Sequence, residues 1–192
     1  MDSKSPIRTV VIIALLAASA CLRTELNAPA LAPELLSLAN TNTKKIVLSV
    51  SSPAEQPLGY QYLLGFVPFG AIHLPHTQQF LLRVFFEQLT LRGFTSLLSL
   101  PAEPNAALPR LSVSVTELKL SAFDLLFTRR VRCRVTLKGQ WNRPNGEMAR
   151  AWESSVSKER YRSMPFEAEL EGLLRETLTE SAQEILSKLI PP

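Results

Sequence analysis

Between Phe127 and Glu159 the chain alternates apolar and polar residues around a central Arg143-Pro144-Asn145-Gly146. Phe127, Val131, Cys133, Val135, Leu137 and Trp141 fall on one parity, and Thr128, Arg130, Arg132, Arg134, Thr136, Lys138 and Gln140 on the other. Wound as a helix, this period of two would scatter apolar side chains around the whole cylinder. As a strand it gives one apolar and one charged face. Proline presets φ and Asn-Gly accepts positive φ, so the four residues at 143–146 read as a turn. The returning strand, Glu147 to Glu159, places Met148, Trp152 and Val156 on a common face. A hairpin this long with one apolar face must be covered by something else in the chain.

Two amphipathic segments supply the cover. Thr77 to Arg92 repeats Leu81, Val84, Phe85 and Leu89 at three- and four-residue spacing, widened by Phe80 and Phe86. Thr77 suits its N-cap and Gly93 its left-handed C-terminal position. Glu167 to Ile190 carries Leu170, Leu173, Leu174, Leu178, Ala182, Ile185 and Leu189 on one stripe, between Pro165 and Pro191. Acidic residues in its first turn suit the positive end of the helix dipole. Lys45 to Ser51, a stretch within Tyr60 to Val67, Phe94 to Leu100 and Arg110 to Leu120 read as further strands. The last changes phase after Val115, which predicts a bulge near Thr116 or Glu117. Pro53, Pro57, Pro68 and Pro75 break up residues 52–76, whose apolar residues read mainly as a loop folded over the core, with an exposed binding edge as the alternative. Without repeated βαβ crossovers, these elements predict an α+β fold: an antiparallel sheet of about four to five strands with both helices on one face.

The 192 residues suit one such domain with an extension. The extension is N-terminal. Lys4 and Arg8 precede Val10 to Ala20 (VVIIALLAASA), in which ten of eleven residues are apolar. The run is too short to span a bilayer, which takes about 20 apolar residues, and it fits the core of a secretion signal. It ends on Ala18-Ser19-Ala20-Cys21, which resembles a bacterial lipoprotein lipobox, although Ala18 stands where Leu is usual. That resemblance implies that Cys21 is acylated and becomes the mature N-terminus. An ordinary cleaved signal and an uncleaved anchor are the alternatives. Leu22, in place of an inner-membrane-retaining Asp, points by the same resemblance to the outer membrane. Pro29, Pro33 and the Asn40-Thr41-Asn42-Thr43 run read as a linker. The expected organisation is a signal peptide over residues 1–20, a lipid-anchored linker over 21–43 and a periplasmic α+β domain over 44–192.

Phe80 to Phe94 (FLLRVFFEQLTLRGF), Leu111 to Leu120, Arg129 to Lys158 and Leu173 to Ile190 together resemble small bacterial envelope lipoproteins of the YajG type. The C-terminal part is also similar to the auxiliary lipoproteins of envelope ABC-type lipid-transport systems. These resemblances imply a periplasmic accessory of envelope assembly or transport with no cofactor, and they supply no catalytic motif. The Phe66 to His76 segment matches neither family.

Catalysis requires converging groups, and few are visible. His73 and His76 are the only histidines; Pro75 lies between them, and no nearby carboxylate or thiolate supplies a third ligand, so no metal site is expected. Cys133 shares the apolar parity of its strand, while Arg132 and Arg134 point the other way, so it reads as core. No nucleophile-elbow, Ser-x-x-Lys or phosphate-loop pattern occurs. With only Cys21 and Cys133, a disulfide scaffold is excluded. A net charge of +4 is too mild to indicate a nucleic-acid partner. The polar feature that stands out is the row Arg130, Arg132, Arg134 and Lys138. It is either a candidate surface for an anionic partner or a solvated face paired with Glu147, Glu153 and Glu159. The sequence thus predicts a non-enzymatic, lipid-anchored envelope protein with a membrane contact through its lipid and an envelope protein partner. The alternatives are a lipid- or lipopolysaccharide-binding module, through the apolar Tyr60 to Ile72 segment and the basic face, and an envelope hydrolase with an unrecognised site.

Overall fold

The computed structural model describes residues 22–26, 44–52, 57–98, 108–125, 128–162 and 166–190. Its strands are β1 (Leu22–Glu25), β2 (Lys44–Ser51), β3 (Gly59–Leu63), β4 (Val67–His73), β5 (Phe94–Leu98), β6 (Arg110–Asp124), β7 (Arg129–Asn142) and β8 (Met148–Arg162). Its helices are α1 (Thr77–Leu91) and α2 (Phe166–Leu189). Residues 1–20, expected to be a signal peptide, Cys21 and residues 27–43 lie outside the described residues, as does Phe127.

The described strands form one eight-stranded sheet that forks at β6. Along its whole length β6 pairs antiparallel with β7, and β7 pairs antiparallel with β8. The other edge of β6 is divided. Its first half, Arg110–Ser114, pairs parallel with β2, which pairs parallel with β5. Its last residues, Ala122–Asp124, pair parallel with β3, which leads through antiparallel β4 to parallel β1. The expectation of four to five antiparallel strands is therefore corrected to eight strands in a mixed sheet. A parallel neighbour needs a crossover rather than a tight turn. Here the crossover from β2 to β5 contains α1 together with the inserted β3–β4 hairpin, so no repeating βαβ pattern marks it in the sequence.

Two of these strands fall where the sequence suggested none. Residues 22–25, expected within the tether, form β1. Leu26 continues it, donating its N–H to His73 O at 2.9 Å with its side chain fully buried. Gln61 Nε2 of β3 donates to Thr24 Oγ1 of β1, and both side chains are buried. Residues 67–73, read mainly as loop because of Pro68, form β4. Pro68 is tolerated because it sits at a register shift opposite Tyr62, where the ladder is already interrupted.

The predicted bulge is present: the β6–β7 register slips between Val115 and Glu117. It keeps Leu111, Val113 and Val115 before it and Leu120 and Ala122 after it on the buried face. Opposite them lie Val131, Cys133, Val135 and Leu137 of β7, all buried. Both helices seal this face in one continuous core, which includes every residue named above for their stripes except Phe86, itself buried. The helices touch each other, with α1 lying over β2 and β5 and α2 over β7 and β8. At the start of α1 the cap differs from expectation. His76 occupies the N-cap with φ 58° and no side-chain cap bond, and Thr77 Oγ1 instead donates to Leu74 O at 2.8 Å. Gly93 takes the left-handed C-terminal conformation as expected.

The fork closes at Gly59. Leu120 N–H donates to Leu58 O at 2.9 Å, bringing the start of β3 against the middle of β6. A Cβ on Gly59 would lie 1.5 Å from the Leu120 carbonyl oxygen, a clash with backbone that no rotamer relieves. Gly59→Ala should thus lower stability by at least about 2 kcal/mol, as for other forced overpacking. Leu178→Ala, in the core under α2, should cost about 2–5 kcal/mol through the cavity it leaves. Urea unfolding monitored by circular dichroism checks both.

Candidate functional site

The outward face of β7 carries the basic row. Its cross-strand neighbours set which charges remain available. Register places Arg130 between Phe123 and Tyr161, Arg132 between Ser121 and Glu159, and Arg134 between Lys119 and Ser157. Glu159 accepts from Arg130 at 2.8 Å and from Arg132 at 2.8 and 3.1 Å, so one carboxylate holds two guanidiniums. The Arg130 guanidinium also lies 6.0 Å from the Phe123 ring centre and 5.9 Å from that of Tyr161. Phe123 in turn stacks on Tyr62 with centroids 5.0 Å apart. Arg134 and Lys138 make none of the ion pairs among the described residues. The four residues therefore share one face, but half of the row is tied into an ion-pair and aromatic cluster.

Arg130, the Tyr161 hydroxyl and Arg132, in that order, hold the Glu159 carboxyl down at about 2, from its ordinary 4.5. Its contribution to stability is complete above pH 4.5 and is lost as the pH falls through about 2. The pair is solvent-accessible, so the effect is small and screened by salt.

On the inward face, β8 meets α2 through charge. The sequence suggested Met148, Trp152 and Val156 as an apolar set there. Met148 and Trp152 are instead exposed, because β8 is the edge strand and only a polar stripe of α2 reaches it. Lys158 Nζ lies 2.7 Å from Glu176 and 2.6 Å from Glu180, and Arg160 also pairs with Glu176. Glu184 accepts from Ser154 at 2.6 Å and from Trp152 Nε1 at 3.2 Å. Sequence reading looked for acidic partners within the hairpin and missed these helix glutamates. Their signal was the four-residue spacing of Glu176, Glu180 and Glu184.

The remaining candidates separate. Cys133 is fully buried, and burial pushes its thiol up to about 12. At neutral pH it is neutral, which suits core rather than catalysis. His73 ends β4 and His76 caps α1. Among the described residues no three His, Cys, Asp or Glu side chains are grouped to hold a metal ion. A groove of about 240 Å³ runs between the helices over Phe80, Val84 and Leu174. Arg83, Glu87 and Arg175 bridge its rim, with Glu87 accepting from both arginines at 2.9 and 3.0 Å. This is smaller than the roughly 300–1,000 Å³ common for sites of drug-sized ligands.

The apolar Tyr60 to Ile72 segment divides into two populations. Ile72 is buried, whereas Phe66 is 73%, Leu63 48% and Leu64 46% exposed at the β3–β4 turn, and Tyr60 is 46% exposed on β3. Leu125, 42% exposed, leaves the end of β6 beside them; a Cβ on Gly65 would lie 3.5 Å from its Cδ2. Among the described residues no helix is long and apolar enough to cross a membrane.

The molecule is thus an α+β protein whose forked sheet presents one helix-covered face and one charged face. No protein-family model matches the chain, and no curated protein matches it. Among solved structures it is similar to a Xanthomonas campestris protein of the DUF330 family, with 10% identity over 86% of this chain and 93% of that one, at a TM-score of 0.47. It is also similar to rare lipoprotein B from Shewanella oneidensis, with 17% identity over 73% and 90% of the two chains and a TM-score of 0.41. For a minor lipoprotein from Acinetobacter baumannii the identity is 18%, the coverage 74% and 89%, and the TM-score 0.40. No function is transferred from these likenesses.

Two measurements check this description. Glu159→Gln should be slightly less stable than the parent at pH 7, with the difference vanishing as the pH falls toward 2; urea titrations across that range read it. Cys133 should resist iodoacetamide at pH 8 in the folded protein and react once guanidinium unfolds it.

Proposed function

We propose that this protein is a non-enzymatic, lipid-anchored protein of the bacterial envelope that acts as an adaptor or accessory in envelope assembly or transport. The observation that carries the reading is the apolar run Val10 to Ala20 ending directly on Cys21. A signal core that terminates in three small residues and a cysteine provides a thiol at the membrane surface, flanked by side chains that fit a peptidase groove. Acylation contributes roughly 0.8 kcal/mol per buried CH₂, so several chains hold a domain of this size firmly. Leu22 after the cysteine favours the outer membrane. Among the described residues Cys133 is buried in the core and no three metal-ligating side chains are grouped, and an adaptor requires neither. Its partner is an envelope protein. Arg134 and Lys138 supply the charge for an anionic one, lipid or protein.

Metabolic labelling with an alkyne fatty acid tests the anchor. The parent should be labelled and float with membranes, and globomycin should block its maturation. Cys21→Ser should lose label and flotation together. Normal maturation and membrane retention of Cys21→Ser would refute lipidation. Turnover in a broad hydrolase panel, abolished by a single substitution in the folded domain, would refute the non-enzymatic reading.

A further inference from the structure

The first described strand runs beside β4, and this fixes which end of the sheet faces the anchor. β1 is parallel to β4, with Leu22 level with Gly70 and Glu25 level with His73. The chain therefore enters β1 from the end of the sheet where β4 begins, the end that carries Phe66. β1 cannot swing away freely. Four registered positions, the buried Thr24–Gln61 hydrogen bond and fully buried Leu26 fix it to the sheet. Covalent continuity keeps residue 21 within about 3.8 Å of Leu22, Cα to Cα. Gly70 is four residues from Phe66, on the order of 13 Å along a strand.

At that same end the described residues expose their largest cluster of apolar side chains. Leu63 ends β3 level with Asp124, the last residue of β6, so the β3–β4 turn and Leu125, which follows β6, lie at the same end of the sheet. Leu63, Leu64, Phe66 and Leu125 are all exposed there. The turn is locally costly as built. Phe66 N–H donates to Leu63 O across Leu64 and Gly65, which have φ 53° and 80°. Glycine adopts such a φ at no steric cost, and Asn is the usual alternative; a leucine there is an outlier. Strain that places a bulky apolar side chain at an exposed tip has no folding rationale. Among the described side chains at this end, Arg129 pairs with Asp124 and Arg130 with Glu159.

Resting on the lipid-anchor reading, we infer that the β3–β4 turn, together with Leu125 beside it, inserts into the outer part of the same bilayer that holds the Cys21 lipid. The domain then lies tip-down on the membrane rather than hanging from a free tether. Because Phe66 projects beyond the start of β1 on the side from which the chain enters, the turn meets the bilayer before the body of the sheet does. With Arg129 and Arg130 already paired, insertion relies on apolar contact through Leu63, Leu64, Phe66 and Leu125. The opposite end of the sheet, with the Pro144-Asn145 turn of the hairpin, faces away from the membrane and is free to meet a protein.

The test uses the full mature acylated protein in phosphatidylethanolamine–phosphatidylcholine vesicles. Single cysteines at Phe66→Cys, Leu125→Cys and Asn145→Cys carry an environment-sensitive nitrobenzoxadiazole label; Cys133 is buried and does not compete. The expected result is blue-shifted emission, quenched by brominated lipids, at positions 66 and 125 and not at 145. Leu64→Asn with Phe66→Ser should reduce quenching at Leu125→Cys while thermal unfolding stays unchanged or rises. Vesicle flotation, scored on every sample, separates the two claims. If the protein floats but positions 66 and 125 stay unquenched, or are quenched no more than 145, the insertion is overturned and the anchor stands. If the parent carries no lipid and does not float, the anchor fails, and with it this orientation.

Discussion

Strand β6 has two edges, and every other described strand reaches the sheet through them. One edge is filled along its length by β7. The other is split between β2, which ends opposite Ser114, and β3, which joins where Leu120 donates to Leu58 and where Gly59 has no Cβ to obstruct the approach. Backbone hydrogen-bonding groups buried in a sheet must be paired, so an edge this long needs either one long partner or two short ones. The second solution makes the sheet fork. The β2–β5 arm lies under α1, and the β3–β4–β1 arm extends in the other direction along β6 and carries the N-terminal strand. Gly59 therefore governs the relation between the core of the domain and the end proposed to meet the membrane.

The two faces of the β6–β7–β8 ladder do different work with the same alternating sequence. Inward, β7 contributes Val131, Cys133, Val135 and Leu137 to a dry core under α2. Gly139 leaves room for Ile185 and Leu189, whose side-chain carbons would lie 2.6 and 2.7 Å from an added Cβ. At the edge, where α2 no longer offers apolar side chains, β8 is held by charged and hydroxyl contacts to Glu176, Glu180 and Glu184. Outward, Glu159 gathers Arg130 and Arg132 among Phe123 and Tyr161. Exposed ion pairs contribute little individually. Their consequence here is selective, since they neutralise the row near the apolar turn, while Arg134 and Lys138, toward its middle, make none of the ion pairs among the described residues.

Much of this was legible beforehand, and the exceptions have physical causes. The α1 and α2 stripes, the long hairpin with its Pro-Asn-Gly turn, and the β6 bulge all follow from local periodicity and turn chemistry, which act over a few residues. β4 was hidden because proline normally forbids a ladder position, and only pairing at a register shift removes that objection. β1 was hidden because four residues carry no periodicity and their partner lies more than forty residues away. The parallel pairings were hidden because a crossover interrupted by a hairpin leaves no repeating signature. The exposed tips were half visible: apolar residues at 60–72 were evident, but nothing local distinguishes Ile72, which is buried, from Phe66, which is not.

By itself, then, the sequence determined the strand and helix periods, the core face of each long element, and an apolar run ending directly on Cys21. Those properties are set by the side chains a residue carries and by its nearest neighbours. Tertiary structure alone decided that β6 would be shared, which arginines would be neutralised and which apolar residues would remain outside. It also decided that the strand following Cys21 would enter beside the exposed turn. Such outcomes depend on which distant segments compete for the same edge or face, and that competition is resolved only when the whole sheet assembles.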